Sequence, residues 1–314
     1  VTTNARRRIR RFPARLGVAL STGAFFGFVI GGAIASGDIP PSQPVEVTTS
    51  DAITLQATFY PGIRGRESPV VVLLPDEKQS RSSLEPLALA LQSPPDGGVP
   101  SAVLAVDLRG QGDSRAKEVS GTTRRTNGRV EIAKMVKIDM EAVRAWLVTQ
   151  NDKGRVNLNR LAYVGVGMGA VVALNAAAID WSVPDLASSK QGRDVKAVVL
   201  ISPPWRHSGL GVLDALRQPG VRSEVALLMM YGSQDRAQQQ TVTRILNELE
   251  RPRGAAGAAS DDPLSSLVSA SSETKQSGAA LLKAGGERAT LLVSRFLDQH
   301  VAQADAAWVQ RRLE

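Results

Sequence analysis

The sequence contains no cysteine, which excludes disulfide bridges, thiolate metal sites and a cysteine nucleophile. Histidine is nearly as scarce, with only His207 and His300 in 314 residues. Any chemistry that needs an imidazole must run through one of these two. Acidic residues are missing before Asp38, while Arg6, Arg7, Arg8, Arg10, Arg11 and Arg15 crowd the start of the chain. The net charge of +8 belongs mostly to that start, because the other 32 basic residues nearly balance 30 acids. A nucleic-acid surface is therefore not implied. Apolar residues at 43% and charged residues at 22% are ordinary for a globular chain.

Residues 16–35 carry no charge and include Phe25, Phe26, Phe28, Val29 and Ile30. Ala33, Ile34 and Ala35 then place small residues at alternate positions before Ser36, as an export cleavage site requires. The same stretch is long enough to span a bilayer, so residues 1–35 read as a signal peptide or an N-terminal membrane anchor. Uncleaved, residues 16–35 would contact the membrane. Both readings place the remainder outside the cytoplasm. Residues 36–44 hold three prolines and form a linker that cannot be helical, ahead of a domain over 45–314.

Residues 45–49 and 53–60 alternate in polarity around Ser50 and Asp51, predicting a β-hairpin. The apolar runs 70–74, 102–106, 161–164, 195–201 and 225–231 read as strands buried on both faces. A capping box at Ser82–Glu85 opens a helix through Gln92, with Pro86 in its first turn. Helical spacing predicts helices over 131–150, from Gly169 to Ile179, near 212–217, over 238–250, and over 289–312. A last strand is expected within 264–270, and the basic residues of 114–130 read as a surface loop. Alternating strands and helices predict a mostly parallel sheet covered on both faces, with ligands at the carboxyl ends of its strands.

Three motifs sit at those ends. The first is Asp107-Leu108-Arg109-Gly110-Gln111-Gly112-Asp113-Ser114, directly after a strand. The second is Gly165-Val166-Gly167-Met168-Gly169, between a strand and an alanine-rich helix. The third is Tyr231-Gly232-Ser233-Gln234-Asp235, after another strand. Together they resemble the α/β-hydrolase family, in particular its esterase and dienelactone-hydrolase branch, over residues 45–310. The resemblance implies an α/β fold with a mostly parallel central sheet and helices on both faces. It also implies a Gly-x-Ser-x-Gly nucleophile elbow, an orienting acid at the place of Asp235, and a histidine after the last strand.

The chain departs from that pattern where the chemistry resides. Gly167 replaces the serine, and glycine offers no atom to attack a carbonyl. Residues 270–276, where the histidine belongs, contain none. Pro75-Asp76-Glu77 follows the strand that usually precedes an oxyanion-hole donor, leaving the Met168 N–H as one donor. Asp235 serves equally as a helix N-cap. Asp107 and Asp113 suit a magnesium ion in type, but tying a turn together explains them, and no metal or cofactor is implied. Three readings remain. One is a catalytically inactive exported protein that binds a small molecule or protein partner through Asp76, Gly167, Met168 and Asp235. Another is a carboxylic-ester hydrolase using His207, Asp235, Ser202 and water polarised by Asp76 or Glu77. The third is a structural envelope protein.

Overall fold

The computed structural model describes residues 39–115, 128–184, 190–253 and 258–312. The leader or anchor expected over residues 1–35 lies outside them, as does most of the expected basic loop. Among the described residues no helix is long and apolar enough to cross a membrane.

The apolar runs become strands because a two-faced burial needs apolar side chains at every position. β1 (Gln43–Thr48) and β2 (Thr54–Tyr60) form the expected hairpin. β3 (Val70–Leu74), β4 (Ala102–Val106), β5 (Leu161–Val166) and β6 (Val195–Ile201) follow. β7 (Arg206–His207) and β8 (Leu210–Gly211) make a small separate hairpin. β9 (Ala226–Gly232) and β10 (Leu267–Ser272) complete the main sheet. Its order is β1-β2-β4-β3-β5-β6-β9-β10, with β2 antiparallel to both neighbours and all later pairs parallel. The first strand starts two residues inside the expected linker. Pro44 is tolerated there because β1 is an edge strand, where a missing N–H costs no ladder bond.

The helices are α1 (Glu85–Gln92), α2 (Gly128–Lys134), α3 (Met140–Asp152), α4 (Met168–Ser182), α5 (Leu213–Arg217), α6 (Pro219–Ser223), α7 (Arg236–Arg253) and α8 (Ala279–Leu297). Strand alternation sends Val71, Leu73, Val103 and Ala105 to one face, under α1 and α8. Val70, Val72, Leu74, Leu104 and Val106 face the other way, under α3, α4 and α7.

Three helix boundaries differ from the pattern-based expectation, each for a local reason. The capping box does not form: Arg81–Leu84 is a 3-10 turn, the Ser82 hydroxyl pairs with that of Ser80 at 2.7 Å, and α1 begins at Glu85. The single helix expected over 131–150 contains a π-turn, Met135–Asp139, between α2 and α3. That extra residue turns Asp139 inward onto Arg109, at 2.8 Å from its Nε. The last helix begins ten residues early and ends at Leu297, apart from a π-turn through Ala302. Residues 303–312 are not helical because other side chains satisfy their backbone. Asn151 and Asn157 donate to the Val309 and Ala306 carbonyls, and Asp152 accepts the Arg311 N–H at 2.8 Å.

Candidate functional site

The bend between β5 and α4 is built by glycines. A Cβ at Gly165 would lie 2.3 Å from the Gly169 carbonyl oxygen, and one at Gly169 2.3 Å from that of Leu74. Only bare backbone lets α4 start this close to the sheet. Gly167 forms the tip with φ 51° and ψ −114°, a conformation that strains any L side chain. Its N–H donates to the Ile201 carbonyl at 2.9 Å, which fixes the tip over the strand ends.

The space above the tip is filled by another residue. A Cβ at Gly167 would lie 2.0 Å from Oδ1 of Asp76 and 2.2 Å from its Cγ. The Asp76 carboxylate, carried just past the end of β3, thus occupies the volume that a side chain at residue 167 would need. Asp76 Oδ1 accepts the N–H of Met168 at 2.8 Å and that of Glu77 at 2.7 Å. Two backbone donors converge on one anionic oxygen, the geometry by which hydrolases hold an oxyanion. The Met168 N–H is the donor expected from the sequence. Glu77 supplies the second N–H, and Asp76 takes up both.

The remaining candidates divide around this point. A cavity of about 220 Å³ is lined by Asp76, Gly167, Met168, Ser202, His207 and Gln238, among others. His207 reaches it from β7, with Nε2 3.9 Å from Oε1 of Glu77. Ser202 follows β6 with a φ of 50° and accepts the Gly278 N–H on its Oγ at 2.9 Å. Among the described residues no hydrogen bond joins Ser202 to His207. Asp235 is turned to other work: its Oδ1 accepts the N–H groups of Ala237 and Gln238, at 2.9 and 3.2 Å, capping α7. His300 lies on the far side of β10, half-buried against Phe296 and 2.9 Å from the Ser265 carbonyl. Burial lowers its pKa.

The Asp107–Ser114 turn is held by its own charges. Asp107 is fully buried, binds the Arg81 N–H and its guanidinium, and accepts the Asp113 N–H at 3.0 Å. Asp113 pairs with the same guanidinium at 2.9 Å. Arg109 bridges Asp139 and Asp51. Hydrogen bonds from Arg109 and Thr49 hold Asp51 well below the usual carboxylate range, whereas burial pushes Asp139 up. Among the described residues no cluster of three or more histidine and acidic side chains is placed to hold a metal ion.

Sequence reasoning missed Gly278 and Gln238. Gly278, φ 60°, stands at the start of α8, in the loop after β10. A Cβ on it would lie 3.4 Å from Asp76 Oδ2, so the two glycines 167 and 278 flank one carboxylate. The signal was present as Ser277-Gly278 ahead of an apolar run, but nothing local ties it to residue 76. Gln238 hid on the polar face of α7.

The chain was compared with known proteins. No protein-family model matches it. Uncharacterized proteins from two strains of Mycobacterium tuberculosis, CDC 1551 and H37Rv, are each 29% identical over 143 residues. The match covers 46% of this chain and 43% of theirs, so it spans less than half the length of these curated relatives. An esterase of Pyrococcus furiosus superposes with a TM-score of 0.56 at 19% identity, covering 83% of this chain and 93% of that one. A dienelactone hydrolase of Anabaena variabilis gives 0.52 at 18%, covering 83% and 97%. A thermostable carboxylesterase from a metagenomic library gives 0.57 at 15%, covering 84% and 90%. The chain has the α/β-hydrolase fold. Within that fold, residue 167 forms the tip of the bend between β5 and α4, the loop after β10 carries Ser277 and Gly278, and the donors at Met168 and Glu77 close on Asp76.

Proposed function

We propose that this α/β-hydrolase-fold protein is catalytically inactive and uses the cleft above Gly167 to bind a small molecule. The observation that carries the reading is Asp76, whose carboxylate fills the nucleophile's volume and takes both converging backbone donors. An incoming carbonyl would meet a fixed negative charge where its own charge must develop, which raises the barrier instead of lowering it. Glycine at 167 removes the attacking atom as well. Export or membrane anchoring through residues 1–35 is part of the proposal and is supported by their composition. Fractionation of cells is expected to place the protein in the envelope or the medium, and recovery from the cytoplasm would remove that part.

The test is turnover of p-nitrophenyl acetate and butyrate by the purified protein. No rate above that of a His207→Ala variant is expected. A rate that disappears with His207 would overturn the reading in favour of a hydrolase built on His207 and Ser202, which line the same cavity.

A further inference from the structure

Asp76 is treated differently from the other acids packed into this fold. Asp107 meets Arg81, Asp139 meets Arg109, and Asp194 meets Arg311. Asp76 has no cationic partner among the described residues. Its Oδ1 is held by two N–H groups, while Oδ2 faces Gly278, where the absence of a side chain leaves the approach open. A partly buried carboxylate without a counter-charge is costly, and a ligand that brings one relieves the cost.

A second acceptor lies on the same cavity. Oε1 of Gln238 is buried and has no hydrogen-bond partner among the described residues. Asp76, Ser277 and Gly278 also line a larger cavity of about 730 Å³ between α1 and α8. Its walls include Pro86, Leu87, Ala280 and Leu282 beside the polar Gln79, Ser83 and Thr290, so it is mainly apolar away from Asp76. That volume is in the range of drug-sized ligand pockets. Its one cationic side chain, Lys283, is exposed and makes no ion pair among the described residues. The arrangement is one of unsatisfied acceptors at one end and hydrocarbon at the other.

We propose that the cleft takes a small organic cation: a primary ammonium seated on Asp76 within reach of Gln238, with an apolar body lying between α1 and α8. Carboxylates are disfavoured by Asp76, and neutral isosteres leave its charge unpaired. This inference rests on the reading that the cleft binds without hydrolysing.

The test is calorimetric titration and thermal denaturation of the full chain with phenethylamine, phenethyl alcohol and 3-phenylpropionate. The amine is expected to raise Tm with concentration and to bind about tenfold or more tightly than either other probe. Asp76→Asn keeps an oxygen for both N–H groups and removes the charge, so it should weaken amine binding about tenfold. Lys283→Glu, an exposed exchange at the mouth, should tighten amine binding two- to threefold, roughly the effect of one nearby screened charge. It serves also if Asp76→Asn fails to fold. No amine binding, equal binding of the alcohol or the acid, or a Lys283→Glu variant that binds the amine no better overturns the inference. Alcohol binding as tight as amine binding would leave the non-catalytic reading standing. Ester turnover would sink that reading whatever the amine does.

Discussion

Asp194, at the amino end of β6, is fully buried with Arg311 at 2.6 Å, Arg144 at 2.9 Å and Lys190 at 3.3 Å. Asp76, past the carboxyl end of β3, accepts only backbone N–H groups among the described residues. The two ends of one sheet therefore handle a carboxylate in opposite ways, fully buried at one and partly buried at the other. At the amino end, three cations close on Asp194, and one of them, Arg311, ties the segment after α8 to the strand starts. At the carboxyl end, glycines clear space and a negative charge is left facing a cavity. The first end carries the buried ion-pair network, and the second is the end at which the proposed ligand would sit.

Asp194→Ala should show the largest effect, because it leaves the buried Arg311 guanidinium uncompensated. A loss of about 4 kcal/mol in urea unfolding is expected, with ligand affinity unchanged in whatever folds. A loss below about 1 kcal/mol would show that the amino-end network is dispensable. Gly167→Ser should cost about 3 kcal/mol, combining backbone strain at φ 51° with a collision against Asp76. Adding Asp76→Gly in the same chain removes the collision, so the double variant should recover about 1 kcal/mol or more beyond additivity. Strictly additive costs would mean the two residues do not share that volume.

Asp180 sharpens the comparison by pH. Burial, then the charge of Asp194, raises its pKa from 3.8 to about 6, against hydrogen bonds from Val195 and Asp194 and the charge of Arg144. Between those values the native chain holds a proton that the unfolded chain has released. Asp180 therefore lowers stability as pH rises through that window, and the deficit persists above it. Asp180→Asn keeps an acceptor for the two backbone N–H groups and should gain on the order of 2 kcal/mol at neutral pH and nothing near pH 4. An equal change at both pH values would rule out titration as the cause. Asp235→Ala is the smallest case. Loss of the α7 cap should cost about 1 kcal/mol without altering amine binding. A binding defect there would bring Asp235 into the site after all.

What could be read from the sequence was whatever declares itself locally. Runs such as Val70–Leu74 announce a strand because every side chain must be apolar, and the β1–β2 hairpin follows from alternation around a polar turn. The Gly165–Gly169 bend was legible for the same reason, since its backbone demands are met within five residues. The position of Asp76 was not, because residues 76 and 167 meet only after β3 and β5 pair side by side. The sequence suggested that this acid would spoil an oxyanion hole; the fold sets its carboxylate directly on the Met168 N–H. Likewise, nothing near Asn151 predicts that it will donate to the Val309 carbonyl and so keep residues 303–312 from continuing a helix.

Gly286 divides α8 into two pieces, with φ 54° and ψ −138° at the joint. The piece before it walls the larger cavity, while the piece after it carries Val293, Phe296 and Leu297 into the core. Most of the cavity wall that α8 supplies thereby falls before the joint and most of its core packing after it, with Leu281 and Thr290 crossing over. Substitutions at the exposed Ala280 and Lys283 can remodel that wall while Leu281 and the second piece keep their packing, so the lining of the cavity is free to drift between related chains faster than the architecture.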